Sequence, residues 1–118
     1  MLIIRPAQNK ILAATSREEF LHRLEQHLRK YFQAVTTPLS IKELREIIER
    51  NWKRAEKYGL SSELGAYSYL NAVFTLGEDF PGKCQELRAT LDADLSEEKK
   101  ITEFETHILR LLQSANFL

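Results

Sequence analysis

Apolar residues recur at helical spacing in four long segments of the chain, and turn-forming residues separate these segments. The first segment covers residues 6–33. Pro6 suits a first helical turn, and Pro38 follows the end of the segment. Ser16 and Glu19 fit a capping box that would restart the helix. We therefore expect one long helix, with a kink at residues 15–16 as the alternative. Its apolar stripe is Ile11, Phe20, Leu21, Leu24, Leu28 and Phe32.

The second segment has the clearest start and end signals. Ser40 and Glu43 form a capping box, and Gly59 stands where a helix commonly ends. Lys57, in the last turn, suits the negative end of the helix dipole. The pattern predicts a helix from Ile41 to about Tyr58. One face of it would carry Ile41, Leu44, Ile47, Ile48, Trp52 and Ala55.

The third segment, residues 63–76, is apolar nearly all round, and we call it the central helix. Ser61 or Ser62 would cap it and Gly77 would end it. Gly65 costs about 1 kcal/mol in helix propensity, which close approach of another backbone would explain. Such a helix is either enclosed by its own domain or covered by another chain. Its polar residues beyond the first turn are Ser68, Asn71 and Thr75, and its apolar residues are Leu64, Ala66, Tyr67, Tyr69, Leu70, Ala72, Val73, Phe74 and Leu76.

The remaining third of the chain predicts a loop and two further helices. Residues 78–82 are rich in turn formers, and residues 83–91 form a short, weaker helix. Ser96 caps the final helix. Because no segment alternates apolar and polar residues as a strand does, we expect an all-α fold. It would be a bundle-like single domain over residues 1–118, with four to five helices and antiparallel neighbours. The final stripe is Ile101, Phe104, Ile108, Leu111, Leu112 and Ala115.

Composition narrows the class of protein. The chain has 118 residues, 43% of them hydrophobic and 29% charged, in the ordinary globular range. No apolar run reaches the ~20 residues that span a bilayer, and the N-terminus lacks the features of a secretory signal. Cys84 is the single cysteine, which agrees with a reducing compartment. We expect a cytoplasmic protein that does not bind membranes.

The charges are unevenly distributed although the net charge is zero. Residues 1–60 hold twelve Lys and Arg against seven Asp and Glu, and residues 61–118 hold five against ten. Two explanations stay open. Oppositely charged helices pack against one another, or a bipolar surface orients a partner during encounter.

The sequence offers little for catalysis, metal binding or nucleic-acid binding. It lacks a phosphate-binding loop, a nucleophile elbow and a zinc-protease motif. His107 and Glu103 share a helical face, but two ligands are weak evidence for a metal. The second helix is basic, yet glutamates interleave its cations and Trp52 lies on its apolar face. We therefore expect no enzyme, no cofactor, no metal and no nucleic-acid partner.

Protein binding is the function class that remains. Aromatic residues lie on the central helix and just after it, and aromatic side chains are favoured in interface cores. Filling the domain's own core is the alternative role for them. If a small helical domain encloses the central helix on three sides, a fourth side is left for a partner. The predicted partner-binding residues are Tyr58, Leu64, Tyr67, Tyr69, Val73, Leu76, Asp79 and Phe80.

The run Arg54-Ala55-Glu56-Lys57-Tyr58-Gly59-Leu60-Ser61-Ser62-Glu63 carries a family resemblance. It continues through Tyr69-Leu70, Phe74, Leu76-Gly77 and Asp79-Phe80, and the stretches Ile4-Arg5-Pro6-Ala7-Gln8 and His27-Leu28-Arg29-Lys30-Tyr31-Phe32 agree with it. With these residues the chain resembles small helical accessory proteins encoded in bacterial type VI secretion effector clusters. The resemblance covers roughly the first 80 residues, and the chain departs from the family pattern after Phe80.

The resemblance implies an accessory or co-chaperone that binds an effector adaptor or an effector before secretion. An immunity protein that binds and neutralises a cognate toxin is the alternative in the same setting. A phage or toxin–antitoxin regulator is a third option. A homodimer that covers the apolar helix is also left open.

Overall fold

The protein is all-α in the part that the structure describes. The computed structural model describes the backbone of residues 13–116 and the side chains of residues 17–113. Within those bounds there are five helices of eight or more residues, two single helical turns and no strand, which confirms the expected fold class. The elements are α1 (Ala13–Tyr31), α2 (Gln33–Thr36), α3 (Ile41–Lys57), α4 (Glu63–Leu76, the central helix), α5 (Phe80–Lys83), α6 (Gln85–Asp92) and α7 (Glu97–Asn116).

The chain divides into two compact units, Met1–Arg45 and Glu46–Leu118. The boundary lies within α3. Each unit is described by itself below. The expectation of a single domain over residues 1–118 stays a prediction.

In the first unit, α1 is continuous through residues 15–16, so the helix does not restart at Ser16 and the expectation of one helix there is confirmed. The helix ends at Tyr31, earlier than predicted, and α2 follows as one separate turn. The Arg29 guanidinium stabilises this turn, since it donates to the Thr36 carbonyl at 3.0 Å and the Leu39 carbonyl at 3.2 Å. The predicted start at Pro6 lies outside the described residues. The buried stripe of α1 is Phe20, Leu21, Leu24 and Leu28.

The start of α3 confirms the predicted capping box. The Ser40 N–H donates to Glu43 Oε1 at 2.9 Å, and the Glu43 N–H donates to Ser40 Oγ at 3.1 Å. These bonds hold the pKa of Glu43 below its ordinary value. One turn further, Arg45 forms ion pairs with Glu18 at 2.9 Å and with Glu25 of α1.

In the second unit, glycines and a serine fix the ends of α3 and α4 as predicted. Gly59 follows α3 with a φ of 85°, and Gly77 ends α4 with a φ of 103°. Ser62 caps α4, because its Oγ accepts the Gly65 N–H at 3.0 Å. A Cβ at position 65 would lie 3.0 Å from Leu60 Cβ and 3.2 Å from its backbone. The expected close approach at Gly65 is therefore present.

The core of the second unit is built around one side of α4. Tyr69 lies with its ring centroid 5.2 Å from Phe80 and 6.4 Å from Phe104, and the Tyr69 and Phe104 rings are stacked. Aromatic pairs at such separations add to the stabilisation that burial provides. Residues of the unit itself thus enclose this side of the central helix. The core residues are Ala55, Leu60, Tyr69, Ala72, Val73, Phe80, Leu87, Leu91, Ile101 and Phe104.

The helices α4 and α7, which α5 and α6 separate in the chain, run parallel. At their starts, the N–H groups of Ser61 and Ser62 donate to the Glu97 carboxylate at 2.9 and 3.1 Å. About two turns later, Ser68 Oγ donates to Glu105 Oε2 at 2.8 Å. Equivalent steps along both helices therefore stay in contact. A shared carboxylate cap explains the arrangement, since Glu97 at the start of α7 also holds the start of α4.

The connection after α4 differs slightly from the prediction. Residues 80–83 form the single turn α5, with Pro81 in its first positions, where a loop was expected. The weak helix is Gln85–Asp92 and not residues 83–91. The predicted cap of α7 is confirmed, because Ser96 Oγ accepts the Lys99 N–H at 3.3 Å.

The buried Lys100 ammonium joins two helix ends. It donates to the Tyr58 carbonyl at 2.7 Å and to the Leu91 carbonyl at 2.9 Å. A cation is favourable there because carbonyls at helix C-termini lack partners within their helices.

Of the described helices, none is long and apolar enough to cross a membrane.

We predict that Gly65→Ala destabilises the protein although alanine is the better helix former. The gain in propensity is about 1 kcal/mol, whereas the new methyl group meets Leu60 at 3.0 Å. Overpacking of this kind costs about 1–3 kcal/mol. Urea unfolding followed by circular dichroism at 222 nm measures the difference. Gly82→Ala is the matched control, since its Cβ would meet nothing within 4 Å; equal midpoints for the two variants would contradict the account.

Candidate functional site

Three of the eight predicted partner-binding residues lie in the core. Tyr69 and Phe80 are 1% exposed and Val73 is 5% exposed. Their side chains pack against the other core residues of the second unit. These three residues therefore lie in the interior and not on the predicted partner surface, because α5 and α7 cover the aromatic side of the central helix.

The other five predicted residues are half-buried or exposed. Tyr58 and Leu76 are half-buried and pack against the core cluster. Tyr67 is half-buried, and Leu64 and Asp79 are exposed. Tyr58, Tyr69 and Asp79 do border the same depression, whereas Leu64 lies on another side of α4.

That depression is a polar cleft of about 340 Å³, lined by Arg54, Tyr58, Tyr69, Glu78, Asp79 and Pro81. The Glu78 carboxylate accepts Nε of Arg50 at 3.0 Å and Nη2 of the same side chain at 2.5 Å. It also accepts Arg54 Nη1 at 3.1 Å. The hydrogen bonds from Arg50 hold the pKa of Glu78 below its ordinary value, against the opposing effect of burial.

The charges of the polar cleft largely compensate one another. Glu78 is shared by two arginines, and Asp79 forms an ion pair with Lys83 at 3.2 Å. Burial raises the pKa of Tyr69 to about 12, which is still further above physiological pH than the ordinary value of a tyrosine. Neighbouring Tyr58 acts in the same direction. A neutral phenol beside paired charges supports the fold and gives no reactive nucleophile or base.

A second depression lies between α4 and α7, and we call it the α4–α7 groove. It has a volume of about 340 Å³ and is lined by Ser68, Asn71, Glu105, Ile108 and Leu109. Three large apolar side chains of these two helices are exposed. Leu64 is 59% exposed, Leu109 60% and Leu112 37%. Exposed leucines beside a concave surface are typical of a protein contact surface.

Most residues of the α4–α7 groove were not among those predicted from the sequence to bind a partner. The small polar residues of α4, noted as a stripe at positions 68, 71 and 75, were the available signal, since Ser68 and Asn71 line the groove. Leu109 was a second signal. It falls outside the apolar stripe predicted for the last helix, which leaves it on a different face.

His107 and Cys84, two residues with possible chemical roles, lie outside both depressions. His107 Nδ1 lies 3.4 Å from the Glu86 carboxylate of α6, whereas the sequence placed His107 beside Glu103. Cys84 is half-buried and packs against the core. Among the described residues, no three His, Cys, Asp or Glu side chains come together as metal ligands would.

Comparisons of the chain with protein-family models, with curated proteins and with solved structures found no match. The resemblance to type VI secretion accessory proteins therefore rests on the quoted residues alone.

We predict that stability falls between pH 10 and pH 12 in a way that depends on Tyr69. In the unfolded chain Tyr69 loses its proton near pH 10, whereas the folded chain keeps it until about pH 12. The unfolded state is favoured across that interval, by about 1.4 kcal/mol per pH unit. Urea unfolding at pH 9, 10, 11 and 12 measures the effect. Tyr69→Phe retains the ring and is the control; parallel curves for the two proteins would contradict the burial of this hydroxyl.

Proposed function

We propose that this chain is a non-catalytic protein-binding module and that its second unit binds the partner through the α4–α7 groove. The observation that supports the proposal is the exposure of Leu109, which lines the groove, and of Leu64 and Leu112, which lie one helical turn from the lining residues Ser68 and Ile108. Burial of apolar area is the main favourable term in protein association. Leucines left in water on a small unit are therefore a source of binding free energy.

The groove supports binding better than the polar cleft does. In the cleft, Glu78 is bonded to two arginines, and a partner would have to compete with those bonds. In the groove, the exposed apolar area gains free energy on burial without breaking an ion pair. The partner surface therefore includes Leu64 of the originally predicted set, together with Leu109 and Leu112.

By its family resemblance, we assign the module to type VI secretion, as an accessory or co-chaperone that holds an effector adaptor or an effector. An immunity protein that neutralises a cognate toxin is the alternative, and the two roles differ in a measurable way. A co-chaperone copurifies with the adaptor or the effector and does not protect cells from the toxin. An immunity protein protects them and binds the toxin domain directly.

We predict that Leu109→Asp weakens partner binding at least tenfold and leaves the fold intact. Leu109 is 60% exposed, so the change costs little stability, but it places a charge in the apolar contact. The test is co-expression of the full chain with each protein encoded by the neighbouring genes, an adaptor, an effector or a toxin under the proposal, followed by copurification and calorimetric titration of the complex.

Ile41→Asp is the matched control for this experiment. Ile41 is 67% exposed and lies in the first turn of α3, where aspartate is well tolerated. It should bind as the native chain does. Equal weakening by both variants, or unchanged binding of Leu109→Asp, would contradict binding through the groove.

A further inference from the structure

The charges of the α4–α7 groove define the chemistry of what it binds. Glu105 lies midway along the α7 side, where Ser68 Oγ donates to its carboxylate at 2.8 Å. This hydroxyl holds the carboxylate in place but supplies no positive charge. The groove therefore has a fixed negative charge at its centre.

The described residues provide no cation for this carboxylate. The helix α4 contains no Lys, Arg or His. On α7, Lys99, Lys100 and Arg110 lie five or six residues from Glu105, which places them about 120–140° away around the helix. Lys100 is further occupied by two backbone carbonyls. Within the described part of the chain, Glu105 forms no ion pair.

The two ends of the groove differ in character. Glu98 lies two turns before Glu105 on the same side of α7, and it too forms no ion pair with a described residue. Leu109 and Leu112 lie one and two turns after Glu105 and are exposed. One end is thus acidic and the other apolar. Leu64 of α4 lies toward the acidic end, since Ser68, one turn further, contacts Glu105.

The size of this surface fits one helix. From Glu98 to Leu112 the α7 side covers fourteen residue steps, or about 21 Å at 1.5 Å per residue. The walls α4 and α7 run parallel and stay in contact from Ser62 and Glu97 to Ser68 and Glu105. A third helix that lies between two parallel helices buries its apolar face against both, as in helix-in-groove recognition.

We propose that the α4–α7 groove binds a single amphipathic helix of about four turns, belonging to the protein partner, with apolar side chains at one end and Lys or Arg at the other. The inference rests on the proposed function and adds the chemistry of the partner segment. The apolar end packs on Ile108, Leu109 and Leu112. The basic end reaches Glu105 and Glu98, and its aliphatic stems cover Leu64.

The bound helix runs antiparallel to α4 and α7. Lysines are most favourable at the C-terminal end of a helix, so the acidic end of the groove receives the C-terminal end of the partner helix. That end lies beside the starts of α4 and α7, where the helix dipoles attract. The direction of the partner follows from the charges of the groove.

A second copy of this chain fits the groove poorly. Glu105 lies at the centre of the surface between Glu98 and Leu112. In a two-fold dimer through this surface, the central residue meets its own counterpart near the axis. Two carboxylates would then face each other without a described cation. A basic helix of a different protein is the occupant that the charges favour.

The probe for the experiment is a hydrocarbon-stapled helical peptide of about 16 residues, with leucines on one face of its first two turns and lysines on that face of its last two. Its twin has glutamates in place of the lysines, and the staple keeps both equally helical. Each is titrated into the full-length ¹⁵N-labelled chain at low salt. We expect shifts of α4 and α7 amides and at least fivefold tighter binding of the lysine peptide.

Two variants show whether the predicted contacts cause this preference. Glu105→Gln keeps an acceptor for Ser68 and should remove most of the preference for lysine, because it removes the central charge. Leu109→Asp should abolish binding of both peptides, because it places a charge where their leucines pack. Added salt should reduce the preference in the native chain, since these carboxylates are exposed.

Equal binding of the two peptides, no binding of either, or shifts confined to another surface would overturn the proposed helix. This result is distinct from a failure of the proposed function. If the natural partner binds in a Leu109-dependent way and the peptides do not, the protein-binding function stands and the basic helix is wrong. If the lysine peptide binds as described and neither adaptor, effector nor toxin does, the groove chemistry stands and the assigned role is wrong.

Discussion

The second unit depends on one constraint, which is that its central helix α4 has apolar side chains nearly all round. Such a helix is stable only when most of its surface is removed from water. The unit meets this requirement with an aromatic cluster in which Tyr69 contacts both Phe80 and Phe104. Other features of the unit serve the same end. Gly65 allows Leu60 to lie close to the helix. Glu97 holds the starts of α4 and α7 together. Burial alone would raise the pKa of Glu97, but the hydrogen bonds from Ser61 and Ser62 outweigh it and hold the pKa below its ordinary value.

The accessible part of α4 beside the α4–α7 groove is where we propose that a partner binds. Small polar residues there allow α7 to approach in parallel, and the resulting groove presents Leu109 and the Glu105 carboxylate, which forms no ion pair with a described residue. Ion pairs within the second unit neutralise part of the uneven charge of the sequence. Arg50 and Arg54 from the basic half of the sequence pair with Glu78 from the acidic half. Glu98 and Glu105 form no such pair with a described residue, so this surface keeps a negative charge, to which our proposal assigns the choice of partner.

Local signals predicted the helices well because each depends on a few adjacent residues. The Ser40–Glu43 box, the Ser62 and Ser96 caps and the glycines after α3 and α4 all lie where the sequence placed them. The candidate site was harder to predict, because which side of an all-round apolar helix is covered depends on tertiary packing. Phe80 lies in a turn between helices, and nothing in its neighbours indicates that it packs on Tyr69 and Phe104. The parallel pairing of α4 with α7 depends on Glu97, 35 residues from Ser62.

The central claim is that α4 is enclosed over most of its surface, with Tyr69 on its core side, while Leu64 on its groove side is exposed together with Leu109 and Leu112 of α7. Hydroxyl-radical footprinting of the full chain, read by mass spectrometry, measures the accessibility of both sides at once. The account predicts that Leu64, Leu109 and Leu112 are oxidised in the native protein, whereas Tyr69, Phe80 and Phe104 react only after unfolding. Aromatic side chains react faster with hydroxyl radicals than leucine does, so exposure of Tyr69 or Phe80 would be detected readily. Rapid oxidation of these two in the native protein would contradict the account. Protection of all three leucines in the isolated monomer would contradict it as well.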